Sequence, residues 1–182
     1  MQKIMFNDRY GLTDAVIDYI KNNTRRIEGG RQFQLAATAA EDFTYEEATG
    51  CIVMCCQGIE IFRHKCRYKV GEIVAVAQSY EQVYRQGNMN ADEAIIRGLK
   101  YDPGMCNKMY VRAALMPHQI RITGIRYERL QDISDEECMR EGILESWYES
   151  TDTTTYGYAD EKKGTAVEFD TPREAFAALI DK

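Results

Sequence analysis

The clearest alternation of apolar and polar positions lies between residues 119 and 128. Its apolar positions are Ile120, Ile122, Ile125 and Tyr127. The polar positions between and beside them are Gln119, Arg121, Arg126 and Glu128. This period of two predicts a strand with one buried face. The pattern shifts by one position at Gly124, which indicates a β-bulge or a close backbone approach.

A helix start follows this strand. Ser134 and Glu137 have the spacing of a capping box, in which each side chain binds a backbone amide of the other residue. Gly142 is placed to end the helix in a left-handed conformation, so the helix must be short. We therefore expect Glu141 at the end of a short helix, close to the edge of a sheet.

The first residues predict a strand, a helix and a turn. Residues 3–6 form the strand candidate, and Thr13 is a candidate N-cap for a helix that runs to about residue 20. The apolar positions of this helix recur at helical spacing and are Leu12, Val16, Ile17 and Ile20. The helix is expected to break at residues 21–24, because two asparagines there favour a turn.

Several further elements are short. Apolar residues 51–56 predict a buried strand, residues 59–62 a hairpin partner, residues 72–77 another strand and residues 91–97 a short helix. Thr171 and Glu174 form a second capping box, which begins a terminal helix. We predict a small, barrel-like α+β domain over residues 1–182. It has a long insertion or loop near 85–106 and a mobile polar stretch near 150–165.

Composition narrows the class of protein. The 182 residues include six cysteines without a CxxC spacing, and we find no signal peptide and no long apolar run. We expect reduced thiols, a cytoplasmic location, no membrane partner and no cofactor. A metal site formed by His64, Cys66 and Cys138 is conceivable but is not expected.

The net charge of −6 argues against a surface coated in basic charge for long nucleic acid. This net charge does not exclude a local basic patch. One group of arginines comprises Arg25, Arg26 and Arg31, and a second comprises Arg121, Arg126 and Arg129. The second group fits solvated strand edges equally well.

The residues suggest one candidate set for catalysis. No GxGxxG, Walker, HExxH or GxSxG motif is present. Thr24 lies three residues after Lys21 in the predicted turn, so its hydroxyl can meet the lysine amine. A partly desolvated Lys21 could accept the Thr24 proton, with Glu141 as its partner or as a proton donor. The same residues also fit a hydrogen-bonded structural corner.

Three segments resemble the ASCH domain family, which is common in bacteria and phages. Residues 16–27 (VIDYIKNNTRRI) resemble the family segment VLDGRKTxTRRI, and residues 68–76 (YKVGEIVAV) resemble its PGDxLxV strand. Residues 121–143 resemble its block TxVRVERLQDISEEDAxxEGI. The resemblance covers most of the chain in the correct order.

The resemblance implies a PUA-like β-barrel surrounded by short helices, with a cleft suited to RNA or a modified base. In small bacterial ASCH enzymes that hydrolyse N4-acetylcytidine, the working residues are the Lys and second Thr of a GxKxxT motif and a Glu. These positions correspond to Lys21, Thr24 and Glu141 here. The departures are Tyr19 and Ile20 in place of Gly and Arg, Asn22 in place of the first Thr, and Gln78 in place of a frequent acid.

Three functions follow as expectations. The leading one is binding of RNA or a modified nucleotide through Lys21, Arg25 and Arg26, with Arg121 and Arg126 as further contacts. The alternative is an amidohydrolase of N4-acetylcytidine-like nucleosides. A third is a prophage-derived protein-interaction domain. Relatives usually continue into one more strand after the terminal helix. We therefore expect either a shortened version of the domain or an open sheet edge that permits homo-oligomer formation.

Overall fold

The computed structural model describes residues 1–25 and 30–180, and these form a mixed α+β structure. The helices are α1 (Leu12–Ile17), α2 (Arg31–Ala39), α3 (Tyr80–Arg85), α4 (Ala91–Ile96), α5 (Asp135–Arg140) and α6 (Pro172–Ile180). The strands are β1 (Lys3–Ile4), β2 (Asp42–Glu46), β3 (Cys51–Cys56), β4 (Ile59–Lys65), β5 (Ile73–Val76), β6 (Gln119–Arg121), β7 (Leu144–Tyr148), β8 (Thr153–Asp160) and β9 (Thr165–Phe169). They form three three-stranded sheets with the orders β1-β5-β6, β2-β3-β4 and β7-β8-β9.

The chain divides into two compact units. The first unit comprises Met1–Thr24, Ala75–Gln119 and Ile133–Lys182. The second unit comprises Arg25–Val74 and Ile120–Asp132.

The residues of the first unit that the structure describes include two apolar clusters. One surrounds the fully buried side chains of Tyr80 and Leu99. The other joins α5 and α6 to β8 through Cys138, Phe176 and Tyr158. Because each helix is short, its apolar residues are stabilised by packing into these clusters more than by the helix itself.

The described residues of the second unit include an apolar cluster in which α2 covers the antiparallel sheet β2-β3-β4. Phe33 of α2 and Met54 of β3 are buried there. Tyr127 reaches the same cluster and stacks on Phe43 with a centroid distance of 4.2 Å. The segment that carries Tyr127 is therefore anchored by its apolar side chains.

Local signals predict several elements correctly. The Ser134–Glu137 capping box forms as expected at the start of α5. The apolar run over 51–56 is β3, and β4 pairs with it as the predicted hairpin partner. The terminal helix is α6, and the Glu174 amide donates to the Thr171 hydroxyl at its start.

Other expectations are wrong where tertiary packing decides. The long strand near 119–128 is reduced to β6, and no bulge forms at Gly124, where an added Cβ would meet open space. Thr13 is not an N-cap; it lies inside α1 and donates its hydroxyl hydrogen bond to Asp8. The described strands form three separate three-stranded sheets and show no closed barrel, so the barrel stays a prediction.

Two segments contain more regular structure than the sequence predicts. The polar stretch near 150–165 contains β8, the central strand of its sheet, because threonine and tyrosine suit strands and Tyr158 is buried. The segment near 85–106 contains α4 and two short 3-10 turns. Its residues Ala94 and Leu99 pack into the first apolar cluster.

The buried side chain of Asp160 gives the stability of the first unit a pH dependence. Arg9 donates from Nε and Nη2 to the two Asp160 oxygens at 3.1 and 3.0 Å, and these hydrogen bonds lower the pKa of Asp160. With this lowered pKa, ionised Asp160 stabilises the folded state at pH values above its unfolded pKa of about 3.9. The stabilisation is lost as the pH falls through the folded pKa. We expect Asp160→Asn to destabilise the protein at about pH 7 and to cost much less at about pH 3 in urea unfolding. An equal cost at both pH values would contradict this assignment.

Candidate functional site

The backbone after α1 places Lys21 against the end of the helix. Tyr19 adopts a left-handed conformation with φ of 62° although it is not a glycine, and its amide donates to the Val16 carbonyl. The Lys21 amide then donates to the Ala15 carbonyl at 2.8 Å. Tyr19 is 90% exposed. The turn therefore directs Lys21 inward and Tyr19 outward.

Lys21 and Glu141 form a buried ion pair in the first unit. The Lys21 Nζ donates to Glu141 Oε2 at 2.5 Å and to the Glu141 carbonyl at 2.7 Å. Each residue is 4% exposed. The predicted approach of these two residues is thus present, across 120 positions of sequence.

Neighbouring backbone contacts hold this pair in place. The Asn22 and Asn23 amides both donate to the Arg140 carbonyl at the end of α5, at 3.0 and 3.1 Å. Gly142 has φ of 100°, and a Cβ there would lie 3.6 Å from the Lys21 stem and 3.2 Å from Leu12 Cδ2. A glycine is thus favoured at 142 by its left-handed backbone conformation and by the tight contact that a Cβ would make with Leu12, whereas its contact with Lys21 would be an ordinary one.

Thr24, the third residue of the proposed catalytic set, is exposed. Within residues 1–25 and 30–180, its hydroxyl makes no hydrogen bond to Lys21 or Glu141. The structure therefore brings together two of the three residues.

A second cluster of charges lies in the second unit and centres on Glu128. Arg25 Nε donates to Glu128 Oε1 at 2.6 Å, and Arg126 Nε lies 3.0 Å from Glu128 Oε2. The exposed fractions of the Arg25, Glu128 and Arg126 side chains are 15%, 25% and 61%. One carboxylate thus holds two guanidinium groups at a partly exposed surface.

The remaining predicted nucleic-acid contacts are dispersed or undescribed. Arg121 is exposed and donates to the Gly71 carbonyl at 3.3 Å. Arg26 lies outside the described residues.

Among the described residues no group of His, Cys, Asp and Glu could hold a metal ion. The described helices also include none that is both long and apolar enough to cross a membrane.

Sequence reasoning missed the role of Glu128. In the sequence, Glu128 is predicted only as a polar position of a strand, although Arg126, two positions earlier, is a natural partner for a carboxylate. The contact between Arg25 and Glu128 spans 103 positions and has no local signature.

Comparison with protein-family models, with curated proteins and with solved structures gave no match to this chain. The ASCH assignment therefore rests on its quoted segments and stays a prediction.

Proposed function

We propose that this chain is an ASCH-type domain with a PUA-like fold that binds RNA or a modified nucleotide. The observation that carries this proposal is the convergence of Arg25 and Arg126 on the Glu128 carboxylate. Guanidinium groups placed to hold two carboxylate oxygens are also placed to hold two phosphate oxygens, because the donor geometry is the same.

The distribution of charge supports a role for the second unit in this binding. That unit carries ten Lys and Arg and nine Asp and Glu, which gives it a net charge of +1. The first unit carries 13 Lys and Arg and 20 Asp and Glu, which gives it −7. A polyanion is therefore repelled less by the second unit than by the first.

Lys21 has a different part in this proposal from the two arginines. It is buried against Glu141, so a phosphate reaches Lys21 only if that ion pair opens. We assign Lys21 the task of fixing the turn from which Arg25 follows. The phosphate contacts fall to Arg25 and Arg126, with Arg26 and Arg121 as further candidates.

Binding of a labelled short RNA to the native chain and to the double variant Arg25→Gln/Arg126→Gln tests this function. We expect native binding that weakens between about 50 and about 200 mM salt, because phosphate contacts release counterions. The double variant should bind at least about tenfold more weakly, and its log–log salt slope should be shallower by about 1.4, or about 0.7 for each lost contact.

Arg63→Gln is the matched control. Arg63 belongs to the same unit and also lies between two carboxylates, those of Glu46 and Glu60, at 2.5 and 2.9 Å. It should bind RNA as the native chain does. Absence of native binding at low salt, or an equal loss in the control, would contradict the proposal.

A second candidate function is hydrolysis of an N4-acylated cytidine, favoured by the buried Lys21–Glu141 pair. Buried ionisable pairs are frequent at catalytic sites, although they also serve structure. The proposed roles are Thr24 as nucleophile, Lys21 as base and Glu141 as its partner. Incubation with N4-acetylcytidine tests this candidate: loss of the acylated base's absorbance supports it, and unchanged absorbance contradicts it.

A further inference from the structure

Glu128 lies where the proposed function requires an anionic ligand. Its Oε1 accepts from Arg25 and its Oε2 contacts Arg126, so each carboxylate oxygen faces a different guanidinium group. Two phosphate oxygens would need the same two donors. Resting on the proposed function, we infer that Glu128 occupies the phosphate position of the site and must be displaced by a ligand phosphate. The site then accepts only an anion that can compete with the Glu128 carboxylate for the two arginines.

The segment around Glu128 does not depend on these ion pairs for its position. Ile125 and Tyr127 pack against the apolar cluster of the second unit. Tyr127 also lies near Phe33, with a centroid distance of 5.8 Å, as well as stacking on Phe43. Rotation of the Glu128 side chain therefore leaves its backbone anchored.

The contact of Glu128 with Arg126 is of a kind that solvent and ligands can replace. Arg126 is 61% exposed, and ion pairs with such partners contribute little to stability because water competes for both charges. A phosphate carries a full charge on several oxygens and can receive paired donors from each arginine. It is consequently a strong competitor for the two guanidinium groups, whereas a neutral ligand is not.

Glu128 also repels any phosphate that approaches while the carboxylate remains in place. This repulsion penalises binding and is removed when the carboxylate becomes an amide. Glutamine has nearly the same shape, and its single amide oxygen can still accept a hydrogen bond from one of the two arginines. Glu128→Gln therefore separates the charge of this side chain from its packing.

The test compares the native chain, Glu128→Gln and a matched control in binding the same labelled short RNA at about 50 mM salt. We expect Glu128→Gln to bind about tenfold more tightly than the native chain, since the opposing charge is gone. Inorganic phosphate should also inhibit RNA binding at lower concentration in this variant. The control is Glu60→Gln, which removes a carboxylate from Arg63 in the same unit and should leave affinity unchanged.

The outcomes distinguish this inference from the function on which it rests. If the native chain binds RNA but Glu128→Gln binds equally or more weakly, Glu128 orients the arginines and the inference is overturned. If neither protein binds, the proposed function itself fails. Equal tightening in Glu60→Gln would mean that net charge alone is responsible, which also overturns the inference. A thermal melt of Glu128→Gln that matches the native melt shows that folding is unaffected.

Discussion

Replacing Lys21 with methionine is expected to lower the free energy of unfolding by about 3–5 kcal/mol. The Lys21 and Glu141 side chains are 3% and 5% exposed, so the variant leaves the Glu141 carboxylate buried without its ammonium partner. The cost comes from burying a charge that has lost its partner, and it exceeds the net contribution of the intact pair. Urea unfolding followed by circular dichroism measures it.

The double variant Lys21→Met/Glu141→Met gives the sharper result. Because both charges are removed, most of the lost stability should return, and the double variant should be clearly more stable than Lys21→Met alone. Arg97→Met is the control: its exposed pair with Glu93 should cost less than about 1 kcal/mol. If the separate costs of Lys21→Met and Glu141→Met add up to the cost of the double variant, the two groups are not energetically coupled.

The same proteins separate a structural role of the pair from a catalytic one. If the pair only supports the turn after α1, the stable double variant keeps whatever activity or binding the native chain has. If Lys21 and Glu141 take part in deacylation, the double variant regains stability and has no activity.

Gly157→Ala is expected to destabilise the first unit by about 3 kcal/mol or more. Gly157 lies in β8, the central strand of its sheet, opposite Leu144 of β7 and Glu168 of β9. A Cβ at this position would fall on the Val167 carbonyl oxygen and lie 3.1 Å from the carbonyl carbon. Since these atoms belong to the backbone of a paired strand, the clash can be relieved only by distorting the sheet.

Gly124→Ala is the matched control for this replacement. Its φ is not in the left-handed region and its Cβ would meet nothing within 4 Å, so its effect should be within about 0.5 kcal/mol of zero. Thermal unfolding of both variants measures the contrast. Equal stability of the two variants would contradict the close approach of β8 and β9.

These two glycines show what the sequence can and cannot predict. An interrupted alternation made Gly124 look constrained, yet Ile125 and Tyr127 continue into an apolar cluster without a strand. Gly157 lies in a polar stretch without obvious periodicity, and its constraint comes from β9, which follows it in the chain. Such a constraint depends on which backbone passes nearby, and residue type alone does not reveal this.

In the candidate site, too, the local features could be predicted from the sequence and the long-range contacts could not. Capping boxes are local, so the sequence predicted α5 and the position of Glu141 at its end. The approach of Lys21 to Glu141 was expected from the turn and from the family segments. The exposure of Thr24 and the pairing of Arg25 with Glu128 depend on contacts between distant segments, for which the sequence offers no periodic signal.

Trp147 has a consequence for how stability should be measured. It is the chain's single tryptophan, and it lies on the edge strand β7 with 61% of its surface exposed. Because the indole is largely exposed, we expect its emission to resemble that of an indole in water and unfolding to shift the emission maximum only slightly. A chain or ligand that covers β7 would move the maximum to shorter wavelength. Indole emission is thus a poor monitor of denaturation for this protein and a sensitive one for contact at that strand.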